Sequence, residues 1–179
     1  MIFFPIRFMS LKSFDYGAGV DLSATKTVVI IGNSAGEVYA ERIEQTDKSS
    51  PEAPSRQVIR LINDACEMTR IGSDKLDGIG VGCVGPYDAD RGAIVHTSNM
   101  GHDVIPVTGP IYNAFKKRVL RGGDVFTAAH GDYEFGLNDG ERTGNFGEIT
   151  MSTGICGGFM VDGRFLRGST GDAGNVRQP

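Results

Sequence analysis

Three short segments combine residue types that can hold phosphate and accept a proton. Asp21-Leu22-Ser23-Ala24-Thr25-Lys26 sets a carboxylate, small residues, hydroxyls and a cation in a turn between strands. Ser152-Thr153-Gly154-Ile155-Cys156-Gly157-Gly158 is a second turn, rich in hydroxyls and glycine. Small residues let backbone N–H groups converge on phosphate oxygens, and hydroxyls add donors. Between them, Gly123-Asp124 precedes a helix. A carboxylate at a helix N-terminus is favoured in its ionised form, which is what a proton acceptor needs. Each segment alone is an ordinary turn or helix start, and the signal lies in their order.

Other motifs fail on context. Gly80-Val81-Gly82-Cys83-Val84-Gly85 matches G-x-G-x-x-G, but a dinucleotide site needs a helix to open at the glycines, and here Pro86, Asp88, Asp90 and Gly92 follow. Gly32-Asn33-Ser34-Ala35-Gly36 matches G-x-S-x-G, yet strand-like Glu37-Val38-Tyr39-Ala40 follows where a nucleophile elbow needs a helix. His96, His102 and His130 have no metal-like spacing and read as ordinary residues. The P-loop motif G-x-x-x-x-G-K-[ST] is absent.

The elements that must position the three segments follow from periodicity. Gly19–Leu22, Thr25–Ile31 and Glu37–Glu44 read as three strands, the second a β-branched run. Ser50-Pro51-Glu52 reads as a helix start with Ser50 as cap. Val58, Leu61, Ile62 and Ala65 then repeat at helical spacing up to Gly72. Leu76–Val84 is a glycine-laced strand and Pro86–Gly101 a loop. Thr108-Gly109-Pro110 opens a helix running to Arg118, Val119-Leu120 is a brief strand, and Asp124–Phe135 is a third helix closed by Gly136. Glu148–Ser152 is a strand, and Gly157–Val161 with Arg164–Leu166 forms a hairpin across Asp162-Gly163. The polar, glycine-rich 136–147 stretch marks a boundary, giving a tail (1–14), a mixed α/β domain (15–140) and a partial C-terminal domain (141–179).

Composition is that of an ordinary soluble protein, 40% hydrophobic and 22% charged. A net charge of −4 gives no electrostatic reason to expect nucleic acid or an anionic membrane as partner. The start, MIFFPIRFMSLKSF, is interrupted by Pro5, Arg7 and Lys12, so neither secretion nor membrane spanning is expected; Met9 is the expected true start. Cys66, Cys83 and Cys156 are odd in number and without metal spacing, which suits buried, reduced residues of a cytoplasmic protein.

The order of the three segments resembles the ROK family of repressors, open reading frames and kinases, over residues 17–174. Asp21–Lys26 looks like its D-x-G-G/A-T-K phosphate loop, and Val81–Pro86 like its G-V-x-G-P strand. Asp124 in GGDVFTAAHGD matches the aspartate of N-D-x-x-x-A-x-x-G-E. Met151–Gly158, Val161-Asp162-Gly163 and Gly168–Gly174 look like S-T-G-I-G-G-G, V-D-G and G-x-x-G-x-A-G. Asp103–Pro110 is similar in style to archaeal members.

The resemblance implies an α/β, actin-like ATPase (ribonuclease-H-like) fold and a glucokinase-like transfer of phosphate from ATP to a hexose. Asp124 would be the catalytic base. Asp21, Ser23, Ala24, Thr25, Lys26, Thr153, Gly154, Gly157 and Gly158 would serve the phosphates and Mg²⁺, and Asn99, Asp124 and Asn175 the sugar. It also admits a homo-oligomer. Departures accompany it. Ala24 replaces a glycine and Gly123 the asparagine before the base. Ala173-Gly174-Asn175-Val176-Arg177-Gln178 lacks the glutamate and the zinc-binding histidine of A-G-E-x-G-H, so no zinc site is expected. The sequence-based expectation is a reading frame lost after Gly174, with a hairpin (Phe159, Val161, Phe165, Leu166) left without helices to cover it. Kinase activity of the lone chain is then in question, and the alternative is a non-catalytic sugar-binding or regulatory relative. No helix-turn-helix pattern precedes residue 17, which counts against the repressor branch.

Overall fold

The β-branched run Lys26–Gly32 (β2) pairs antiparallel with Gly17–Leu22 (β1) and with Val38–Gln45 (β3). The computed structural model that shows this describes residues 13–168 except 98, 139 and 152–154, together with 173 and 174. The expected tail falls mostly outside these residues, but Phe14 is buried, packing on Ile30 and Phe135. The β2–β3 turn confirms the plain reading of 32–36. Asn33 Oδ1 accepts from the Ala35 and Glu37 amides, and Gly36 takes the left-handed conformation (φ +87°).

Ala53–Thr69 (α1) starts later than expected. Ser50 does not cap it: its hydroxyl bonds Glu52 Oε2 and accepts from Arg56, while only its carbonyl holds the Ala53 amide. Pro54, not Pro51, occupies the first turn, where a missing N–H costs nothing. The predicted stripe of Val58, Leu61, Ile62 and Ala65 is fully buried on the Ala18/Val20/Leu22 face of the sheet. Gly78–Cys83 (β4) adds parallel to β1 and turns Ile79, Val81 and Cys83 toward the same core. Its glycines Gly78, Gly80 and Gly82 alternate with these and so belong to the opposite face.

The segment expected as loop after Pro86 contains structure. Tyr87–Asp88 (β5), Ala93–Val95 (β6) and Val104–Pro106 (β7) form a small antiparallel sheet. Strands of two or three residues are too short for alternation to register in sequence, and turn-forming Asp90 and Gly92 hid the pairing. Thr108–Phe115 (α2) stops at Lys116 in the left-handed conformation, short of Arg118. Val119–Gly123 (β8) is longer than expected and includes both glycines. The main sheet reads β3-β2-β1-β4-β8, in which β2 alone runs antiparallel to the other four strands.

Asp124–Gly131 (α3) continues into a π-helical turn, Asp132–Gly136. Phe146–Met151 (β9), Ile155–Val161 (β10) and Arg164–Phe165 (β11) make a third antiparallel sheet. The two-residue Asp162-Gly163 turn is as expected, with positive φ at both residues. The hairpin is less bare than its sequence suggests, because α3 covers one face. Phe165 sits edge-on to Phe126 and Tyr133, and Gly158 lies against Ala129. The other face exposes Ile149, Met151, Ile155 and Val161. Cys66 and Cys83 are buried as expected, but Cys156 is only half-buried.

Candidate functional site

The site is built on a row of residues in register. Asp21 on β1 pairs with Gly82 on β4, which pairs with Gly122 on β8. Two glycines in line leave a trough beside the carboxylate, and Thr127 of α3 occupies it. A Cβ on Gly82 would collide with Thr127 Oγ1, and one on Gly122 would come within 2.6 Å of Thr127 Cγ2. On the far side, a Cβ on Gly158 would collide with that of Ala129. Glycines of two sheets thus grip α3 and fix its first residue, Asp124.

Asp124 begins the helix directly after β8. Its Oδ1 accepts from the Val125 amide at 2.9 Å, and its carbonyl accepts from Thr127 Oγ1 at 2.8 Å. Asp21 and Asp124 are brought close enough to interact. Burial, then the Asp124 charge, pushes the Asp21 carboxyl up to about 6, with Lys26 opposing. A pair of carboxylates of which one resists ionising is suited to share a proton or a cation.

The turn after Asp21 is tightly tied. The Ser23 amide and hydroxyl both donate to the Lys26 carbonyl, at 3.1 and 2.9 Å, and the Lys26 amide donates back to Ser23 Oγ. Thr25 Oγ1 lies 3.4 Å from Ser23 Oγ, and Thr25 and Lys26 are exposed. Ser23, Ala24, Thr25 and Lys26 therefore form one surface turn next to Asp21, in the arrangement that the spacing predicts.

The remaining predicted residues divide. Gly157 and Gly158 are buried in β10, Gly158 against α3 and Gly157 with its amide on the Gly174 carbonyl at 2.7 Å. Cys156, expected from sequence only as a buried, reduced residue, is near enough to Asp124 for that charge, after burial, to raise its thiol. Asn99 is exposed, its carbonyl held by Lys48 Nζ at 3.3 Å. Thr153, Gly154 and Asn175 lie outside the described residues. Gly82 and Gly122 were missed as positioning residues. Their spacing signals only a buried strand, and the helix that needs them lies in a later element.

Comparison with known proteins fits this geometry. The ROK family model matches residues 17–176. A glucokinase of Aeropyrum pernix is 31% identical over 160 residues, covering 88% of this chain and 47% of its own length. The crystal structure of a ROK hexokinase from Thermus thermophilus superposes with a TM-score of 0.73 at 26% identity, covering 89% of this chain and 51% of that one. A ROK glucokinase from Streptomyces griseus, solved with glucose and AMPPNP, gives 0.69 at 24%, covering 89% and 48%. The chain spans about half the length of the curated relatives it matches. Its mixed α/β architecture is that of the actin-like ATPase fold shared by these neighbours. A family match that begins at β1 and runs past β11, on a backbone that superposes with solved members, admits one assignment: the chain belongs to the ROK family.

Proposed function

We propose that this chain is the phosphate- and acceptor-facing part of a glucokinase-like, ATP-dependent hexose kinase acting in the cytoplasm. The observation that carries the reading is the coupling of Asp21 with Asp124 at the mouth of the glycine trough, beside the hydroxyl-rich turn. Asp124, at the start of α3, takes the proton from the attacking sugar hydroxyl, since a carboxylate there stays ionised most easily. Ser23, Ala24, Thr25 and Lys26 approach the phosphates through small side chains and one cation, and Gly157 and Gly158 are assigned to the same phosphates. Asn99 contributes to the sugar side.

Mg²⁺ fits Asp21. No cluster of three or more metal-ligating side chains exists among the described residues, so the ion would take Asp21 together with ATP phosphate oxygens, its common manner of binding. Bound there, it would neutralise charge on the transferring phosphoryl group. The rest is positioning: two rigid sheets hold the carboxylates, and the ties within the 23–26 turn hold the phosphates.

Incubating the purified chain with ATP, Mg²⁺ and a panel of hexoses, and measuring ADP release, tests the reading. Hexose-dependent release that Asp124→Asn cuts by roughly a hundredfold or more is expected, with sugar binding retained. Sugar binding without turnover at any ATP concentration would favour the second reading, a non-catalytic sugar-binding relative, for which Gly123 in place of the family's asparagine is the supporting observation.

A further inference from the structure

The underside of the 23–26 turn holds a polar knot in an otherwise apolar interior. Thr27 is fully buried, and Thr46 and Gln57 nearly so. Thr46 Oγ1 donates to the Ser23 carbonyl at 2.7 Å and lies 3.0 Å from Thr27 Oγ1, which also reaches Gln57 Oε1 at 3.2 Å. The Thr46 amide donates to the Thr25 carbonyl at 3.2 Å. Gln57 Oε1 accepts the Asp47 amide at 2.9 Å, and its Nε2 donates to the Gln45 carbonyl at 2.7 Å. A hydroxyl has one proton. Thr46 uses its own on Ser23, its shortest contact, so the single Thr27 proton is shared between Thr46 Oγ1 and Gln57 Oε1.

The consequence for the turn is directional. The carbonyls of Ser23, Thr25 and Lys26 are all taken by protein donors. The amides of Ala24 and Thr25 meet no acceptor among the described residues. A turn whose carbonyls are tied inward and whose amides are left over is ready for an anion. Burying polar side chains costs stability unless they are hydrogen-bonded, and here the bonds run from Gln57 through Thr27 to Thr46, which alone of the three reaches the turn.

We infer that Thr46, backed by Thr27 and Gln57, is a positioning group that holds the turn in its phosphate-accepting shape. The inference rests on the phosphate reading of residues 23–26. Thr46→Val keeps the shape of the side chain and removes the hydroxyl, whereas Thr46→Ser keeps the hydroxyl.

The test is residue-resolved NMR of the intact chain, with amide exchange at Ser23 and Lys26 and titration with inorganic tripolyphosphate read at Ala24 and Thr25. In Thr46→Val, exchange at Ser23 and Lys26 should quicken by about tenfold, and tripolyphosphate should bind about tenfold more weakly. Val20 and Val81 in the sheet should keep their exchange rates, and Thr46→Ser should behave as wild type. Gln57→Met, which leaves the Thr46–Ser23 bond in place, should give an intermediate effect and serves if Thr46→Val does not fold. Tripolyphosphate binding that these variants leave unchanged sinks the inference while the kinase reading stands. Absence of any tripolyphosphate shift at Ala24 and Thr25 in the wild type sinks the phosphate reading itself, and the inference with it.

Discussion

Ala129 of α3 and Gly158 of β10 touch so closely that a Cβ on Gly158 would collide with the Ala129 methyl. The expected result of Gly158→Ala is a loss of about 1–3 kcal/mol, the usual cost of overpacking a fixed contact. Ala129→Gly should recover part of it, less the roughly 1 kcal/mol that glycine costs within a helix. Denaturant titrations of the two single variants and the double variant measure the coupling. Strict additivity would mean that α3 is not seated on β10.

Asp21 makes stability depend on pH in a defined direction. Its folded carboxyl is pushed up to about 6, above the ordinary value, so the folded protein binds this proton more tightly than the unfolded chain. The stabilising contribution is complete below about pH 4 and is lost as pH rises through the folded value. Asp21→Asn should therefore match wild type near pH 4 and exceed it by about 3 kcal/mol at pH 7. Carboxyl NMR titration supplies the second check: Asp124→Asn should lower the Asp21 midpoint but leave it above normal, because burial is the larger cause.

The uncovered face of the β9–β10 sheet should show itself in solution. Ile149 and Met151 are 65% and 77% exposed, beside Ile155 and Val161. Such a patch attracts hydrophobic dyes and invites association. The double variant Ile149→Thr, Met151→Gln should bind such dyes less and stay dispersed at higher concentration, with stability within about 0.5 kcal/mol of wild type. Amide exchange should be faster across β9 and β10 than across β1 and β2. Equal protection in both sheets would contradict this.

Lys48 offers a test of the loop that carries Asn99. Its Nζ donates to the Asn99 carbonyl, while His102 Nε2 bonds the Lys48 carbonyl at 2.9 Å. Both groups are exposed, so Lys48→Met should change global stability by less than about 0.5 kcal/mol. Exchange around residues 99–102 should nonetheless quicken, and unchanged exchange there would show that the clasp does not order the loop.

Much of this was legible in the chain. The β2 run, the α1 stripe and the Asp162-Gly163 hairpin each carry a local period or turn pair that only one element type satisfies. The Asp21 turn and Asp124 were legible as residue types in order. Other features depend on partners distant in sequence. Nothing near Gly82 announces that Thr127 must sit on it, and nothing near Thr46 announces that it serves Ser23. The β5–β7 sheet escaped because its strands are shorter than one full alternation. The start of α1 was misplaced because Ser50 and Pro51 mimic a cap that Pro54 and Ala53 supersede.

The seating of α3 between two sets of glycines also makes it a lever. Ala129 lies five residues from Asp124, about 7.5 Å along the helix axis. Pivoting on that contact by about 10° would sweep the carboxylate by roughly 1.3 Å, and a misplacement of about 1 Å can cost about a hundredfold in rate. The angle between the main sheet and the β9–β11 sheet thus acts as a focusing adjustment for the Asp124 carboxylate, set by a methyl-sized gap at Gly158.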